Sequence, residues 1–512
     1  MKNPYIFLRK FRAVAIFSLF TVAIVLLTAC QPKVPDTFTE VDKAPAIYPD
    51  YRDVTIPVNI APLTFEMEGG CEEMVARFSA DGHELVCGGD CVQPDIDDWR
   101  QLLSQTAGKT LDVEVYVRLD DEWLRYKPFH LTVSKDSIDP WLSYRLISPS
   151  YVAYEELTLN QRCLENYDER VMVDNMLCGT EQNGQCVNCH HYQNYNPDEM
   201  QFHARQSHGG TVLVHHGKVR KINMRNDSIL SAGVYPAWHP WLPVIVYSSN
   251  KTSQTFHTRH ANKIEVFDAA SDLIAYDIEK NELANIENDT TEFEVFPCWA
   301  PDGKTLYYCS AHFVFNDTTG HEGQVITRAK EIKYNIYKKS FDPETYRFGP
   351  REAVFLADSM DLSATLPRVS PDGRYLMFTL GRYGVFHIWH HEADLWLLDL
   401  QSGEARAMSE INSKDTESYH TWSSNGRWVV FSSRRDDGGY TRPFIAHIDG
   451  NGKGSKPFEL PQEDPDYHRQ FVKSYNIPEF MRGPVKTTPQ EFARVLKGSD
   501  GERVKYVNAI KK

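Results

Sequence analysis

A turn motif repeated four times constrains this chain more than any other feature. The copies read Tyr-Pro-Ala-Trp-His-Pro from Tyr235, Phe-Pro-Cys-Trp-Ala-Pro-Asp-Gly from Phe296, Leu-Pro-Arg-Val-Ser-Pro-Asp-Gly from Leu366, and Tyr-His-Thr-Trp-Ser-Ser-Asn-Gly from Tyr419. In the last three, an apolar residue stands three places past the glycine (Leu306, Leu376, Val429) and an aromatic two further on (Tyr308, Phe378, Phe431). The first copy keeps Ile245 and Tyr247 at those places but has Trp241-Leu242 instead of Asp-Gly. Each copy encodes a hairpin. Proline presets the entry to the turn, Asp or Asn accepts a backbone hydrogen bond, and glycine takes the positive φ at which the chain reverses. Strands such as Asp394 to Asp399 follow within a unit. A single four-stranded sheet cannot bury both faces, so such units stack radially.

The pattern Pro-x-Trp-Ser-Pro-Asp-Gly-x-x-Leu-x-Phe resembles the repeats of TolB-like β-propellers, over about half the chain. The resemblance implies a propeller across residues 209–461, of six blades, with five as the alternative. The units start 61, 70 and 53 residues apart, so insertions near 251–262 and 312–330 should decorate one face. The whole layout is similar to TolB-like envelope lipoproteins that carry one haem-attachment motif before the propeller. TolB-like propellers bind peptides or lipoproteins at the central mouth, which implies a protein-binding scaffold.

That motif is Cys186-Val187-Asn188-Cys189-His190. At this spacing two thiols attach a haem and the following imidazole ligates its iron. On this reading Cys186 and Cys189 hold haem c covalently and His190 is the proximal ligand; His203 is the expected sixth ligand, with Met200 or His208 as alternatives. A filled sixth position implies electron transfer. The competing readings are half of a zinc site, completed by His191, His203 or His208, a redox dithiol, and a structural role with no cofactor.

The first 30 residues place Lys2, Arg9, Lys10 and Arg12 before an apolar run from Ala13 to Ala29, ending in Leu27-Thr28-Ala29-Cys30. This resembles a lipoprotein signal with Cys30 as the lipidated residue. Removing it takes away four basic residues and no acidic ones, so net charge falls from −15 to −19. Such acidity argues against nucleic acid as a partner. Expected partners are envelope proteins, a redox protein or another lipoprotein among them, and the membrane through the lipid on Cys30. The expected address is the bacterial cell envelope on the periplasmic side, since no strong acidic run follows Cys30.

The remaining segments divide by pattern. Residues 31–50, with four prolines, read as a tether. Residues 51–140 read as an immunoglobulin-like β-sandwich, because Leu111, Val113, Val115, Val117 and Leu119 alternate with polar side chains and Phe129, Leu131 and Val133 repeat the period. A short helix is expected over Asp98 to Thr106. Residues 141–208 read as a linker holding the cysteine motif, with Asp198 to Ser207 helical. Residues 462–512 leave the repeat, with a helix from Pro489 to Lys497 capped by Thr488. The overall class is all-β. Among the remaining thiols, Cys163 and Cys178 are the pair to test for a disulfide.

Other groupings have bland readings. His387, His390 and His391 with Glu392 and Asp394 fall beside a strand, and His215-His216 fall in a hairpin turn. Tyr419, His420, Ser423 and the arginines at 434, 435 and 442 lack a nucleophile elbow. The chain is therefore expected to be an electron carrier or a scaffold rather than a catalyst.

Overall fold

The computed structural model describes residues 32–148, 156–179 and 185–512. The leader and Cys30 lie outside the described residues. Among those described, no helix is long and apolar enough to cross a membrane.

The fold is an all-β propeller preceded by a smaller domain. Successive four-stranded antiparallel meanders surround a central axis, and their innermost strands are Ser474–Met481, Val187–Gln193, Val234–Trp238, Glu292–Trp299, Ser363–Val369 and Glu417–Trp422. Each of these strands touches the next, and the last touches the first, so the ring is closed. Four blades stand as separate sheets. The meanders that begin at Val234 and Glu292 are merged into one nine-stranded sheet through a parallel pairing of Ser271 with Phe293. Four separate blades and one fused double sheet thus stand where six, or five, separate blades were expected. The long hairpin Val244–Phe256 and Ile264–Asp277 overruns its own blade and reaches the neighbouring strand.

The repeat motif does structural work at two places. Ser370 and Ser423 hydroxyls donate to Asp372 and Asn425 at 2.5 and 2.6 Å and accept the Tyr375 and Trp428 amides at 2.9 Å. Gly303, Gly373 and Gly426 take φ of +57°, +73° and +68° in these turns. The motif tryptophans then stitch blades together. The indole N–H of Trp299 donates to the Ala237 carbonyl, and that of Trp422 to the Arg368 carbonyl, each at 3.1 Å.

Two segments expected outside the propeller belong to it. Residues 141–208 are not a linker: Trp141–Ile147, Thr158–Cys163 and Glu169–Asp174 form three strands of one blade, and Val187–Gln193 with Asn196–Ala204 open the next. The expected helix over 198–207 is therefore a strand; its alternating apolar residues pair with Gly210–His215. Likewise Ser474–Met481, beyond the expected end at 461, pairs with Trp141–Ile147 and supplies that blade's innermost strand. The propeller thus spans residues 141–481. The helix Pro489–Gly498 forms as expected, with the Thr488 hydroxyl accepting the Glu491 amide, and packs beneath Phe202.

The N-terminal domain is also a correction. Residues 39–133 form one mixed seven-stranded sheet, in which Thr39–Val41 and Val54–Ile56 pair parallel to their partners. The helix Ile96–Gln105, capped by Asp95, covers it through Trp99, Leu102 and Leu103. An immunoglobulin-like sandwich would need a second antiparallel sheet in that place. The alternation in Thr110–Leu119 signals one buried face but not what covers it.

Candidate functional site

All six innermost strands carry the same irregularity. Cys189, Tyr235, Phe296, Leu366, Tyr419 and Ile477 have φ between +46° and +55°, and in each strand the ladder register breaks at that point. These are β-bulges, which bend a strand and re-aim the side chains that follow. The next residue is His190, Pro236, Pro297, Pro367, His420 or Pro478; the one after is His191, Ala237, Cys298, Arg368, Thr421 or Glu479. The bulges converge on the axis, where their side chains narrow the channel to a cavity of about 30 Å³.

The cysteine motif is therefore one copy of the repeat in disguise. Cys189-His190-His191-Tyr192 occupies the place of Tyr235-Pro236-Ala237-Trp238. Cys186 and Cys189 face different surroundings: Cys186 packs with Val187, Cys178 and Met200 in an apolar cluster, whereas Cys189 lines the neck. His190 is buried there beside the Ile477 backbone, and neither ring nitrogen has a side-chain hydrogen-bond partner among the described residues. Burial lowers its pKa to about 4, with Arg145 and His191 adding to the effect and Glu479 opposing it.

The neck leaves little room for a haem beside Cys189 and His190. Sites for groups of that size occupy several hundred cubic ångströms, on the order of 300–1,000, against about 30 Å³ beside Cys189 and His190. The expected sixth ligands are elsewhere. His203 opens into a separate cavity of about 450 Å³ with Arg205, Arg225 and Asn250, where its Nδ1 lies 3.2 Å from the Thr211 hydroxyl. Met200 is fully buried in the apolar cluster, and the His208 amide donates to Gln185. Neither cysteine belongs to a converging group of three or more metal donors among the described residues. The described cysteines, Cys163 and Cys178 included, are free thiols.

Above the neck, on the face carrying the Asp-Gly turns, the channel widens into a funnel of about 410 Å³. Its walls combine Trp238, Trp299, Trp422 and the motif prolines with the polar side chains of Asn194, Tyr195, Thr421 and Ser424. The His191 Nδ1 pairs with Glu479 Oε1 at 2.6 Å, and Arg368 and Arg482 add two positive charges. Glu479 is held below the usual carboxylate range by His191, which overcomes the opposing effect of burial. Arg368 also stabilises that carboxylate, so the funnel sets two guanidinium groups and one paired carboxylate against aromatic walls. That combination suits a ligand carrying a carboxylate and an apolar portion.

The remaining histidine and arginine groups have structural positions. His390 Nε2 lies 2.9 Å from Glu265, whose other oxygen accepts from the Tyr383 hydroxyl at 2.8 Å, so this set pins the long hairpin to another blade. His391 pairs with Asp415 at 2.8 Å, and Asp394 sits in a blade strand. Arg434 stacks on Trp389 and donates to the Ile388 carbonyl; Arg435 pairs with Glu417; Arg442 donates to the His468 and Phe471 carbonyls. His420 is buried at the neck with Nε2 3.0 Å from the Met377 carbonyl. Sequence reasoning missed Arg368, Glu479 and Arg482. The usable signal was the copy Ile477-Pro478-Glu479-Phe480, which parallels Leu366-Pro367-Arg368-Val369.

No family model matches this chain. No curated protein matches it either. Among solved structures, the β-propeller domain of the Trilobed protease from Pyrococcus furiosus is 12% identical, over 70% of this chain and 96% of that one, with a TM-score of 0.29. An oligogalacturonate lyase in complex with manganese is 12% identical, over 67% and 87%, at 0.28. Prolyl oligopeptidase B from Galerina marginata is 10% identical, over 82% and 55%, at 0.35. Likenesses this weak bear on no functional argument, and the propeller is read from its own strand order.

Proposed function

We propose that this chain is a binding scaffold whose funnel receives a partner protein's segment bearing a carboxylate, with the cysteine motif serving the blade rather than a cofactor. The observation that carries the reading is the pairing of Arg368 and Arg482 with tryptophan and proline walls in a cavity large enough for a few side chains. The leader residues support attachment to the envelope through a lipid on Cys30. Catalysis is no part of the reading.

Two measurements test it. Random heptapeptides displayed with free C-termini are selected on the purified protein, and the winners are titrated by calorimetry. Replacing Arg368 by Ala should weaken them at least about tenfold, close to 1.4 kcal/mol, and blocking their carboxylates should do the same. Peptides that bind Arg368→Ala as tightly as the parent protein would refute the funnel as the site.

The competing reading, a one-electron relay through haem c on Cys186, Cys189 and His190, rests on the motif spacing, the leader and the resemblance of the layout. Protein made with the cytochrome maturation machinery should give no covalent haem band in a pyridine haemochrome spectrum. A stoichiometric band would restore the electron-transfer reading and require the neck to open.

A further inference from the structure

We propose that Glu199, His215 and His216 form a zinc-type divalent metal site with two imidazoles and one carboxylate, on the same face as the funnel but outside it. Glu199 lies on the strand Asn196–Ala204, His215 ends the strand Gly210–His215, and His216 begins the turn into Lys218–Asn223. The pairing of Met200 with Val214 brings Glu199 opposite His215.

The geometry gathers three donors. His215 Nδ1 is 2.5 Å from Glu199 Oε2, and His216 Nδ1 is 3.1 Å from Oε1. One donor atom from each residue lies within 4.8 Å of the other two. The imidazole rings are stacked, with centroids 3.9 Å apart and planes 28° from parallel. A divalent ion would take one lone pair from each Nδ1 while both rings stay neutral.

The backbone supplies an independent observation. His216 has φ +51° and Gly217 φ +70°, the two-residue hairpin turn in which Asn-Gly is the ordinary choice. Histidine is, with Asn and Asp, among the non-glycine residues that this conformation admits. The turn aims Nδ1 back at Glu199, which also accepts the His216 amide at 2.9 Å.

The donor set selects the metal. Two nitrogens and one oxygen match a zinc site that keeps a fourth position open, and His216, 75% exposed in its side chain, leaves that position towards solvent. The outer nitrogen of His215 is buried with no acceptor among the described residues. The site thus lacks the second hydrogen bond that tightens metal-bound imidazoles, which weakens affinity by about 10–100-fold relative to a supported site.

The test uses the purified full-length protein, stripped with EDTA and titrated with Zn²⁺ alone by calorimetry, then with Co²⁺ by visible spectroscopy. One equivalent should bind, with nitrogen and oxygen ligand-field bands and no sulfur-to-cobalt charge transfer. His216→Asn puts the favoured turn residue in place, so folding is preserved; it and Glu199→Gln should each weaken binding about tenfold or more. The proposal is overturned if the parent protein binds no zinc, if either variant binds as tightly as the parent, or if the cobalt spectrum reports thiolate ligands.

Discussion

A chain that ends at Pro461 will not form the propeller. The strand Ser474–Met481 is the innermost strand of the blade completed by Trp141–Ile147, and Tyr475, Phe480 and Met481 are fully buried. Tyr475 packs on Tyr144 with ring centroids 4.8 Å apart, while the Thr441 hydroxyl donates to its carbonyl at 2.6 Å. Loss of the strand removes those side chains, leaves the edge of Trp141–Ile147 unpaired, and opens the ring between its first and last blades. Each large buried side chain contributes about 2–5 kcal/mol, against a total stability of about 5–15 kcal/mol for a typical domain. Truncation should therefore yield insoluble protein or protein without near-ultraviolet circular dichroism. Phe480→Ala isolates the effect from loss of the terminal helix. It should lower unfolding stability by about 3–5 kcal/mol in urea. Soluble truncated protein with the parent's near-ultraviolet spectrum would show that ring closure is dispensable.

Replacing Glu294 by Gln should stabilise the protein, and the gain should grow as pH rises. Glu294 is 1% exposed, and one of its carboxylate oxygens has no hydrogen-bond partner among the described residues. Burial raises its pKa from 4.5 to about 9, reinforced by Glu287, Asp272, Glu292 and Asp289. Between those values the folded chain holds a proton that the unfolded chain has released. Stability attributable to this group is thus fully present below pH 4.5 and is lost as pH climbs towards 9. At pH 7 the loss is about 3 kcal/mol. Glutamine keeps the shape and cannot ionise. Unfolding midpoints of parent and variant should nearly coincide at pH 5, then separate at pH 7 and further at pH 9, with the variant more stable. Parallel pH profiles would mean that Glu294 ionises freely and that its surroundings are wet.

Both cases show how the sequence could be read and where it misled. The copies at Tyr235, Phe296, Leu366 and Tyr419 were legible because proline, tryptophan and glycine report backbone needs that few other residues meet. Two copies were not. In the motif strand His190 stands for proline, Tyr192 for tryptophan, and Asn194-Tyr195, with φ of +46° and +64°, for the Asp-Gly turn. In Ser474–Met481, Phe480 replaces tryptophan and the strand pairs with a segment more than 300 residues earlier. The same bulge that hid the first of these copies set two cysteines and a histidine at haem-attachment spacing. The funnel was invisible for another reason. Arg368 and Glu479 carry no local pattern, and each becomes a site residue only because its bulge points it at the axis.

The chain's local chemistry determined by itself the β class, the hairpin turns, the capped terminal helix and the radial stacking of like units. These follow from φ preferences, periodicity and caps, which act over a few residues. Only the tertiary structure decided that the ends of the propeller meet, that the cysteines part company, and that arginine and tryptophan share a cavity. Those outcomes depend on pairing between distant strands and on the volume left at the axis, neither of which is a property of any short stretch of chain.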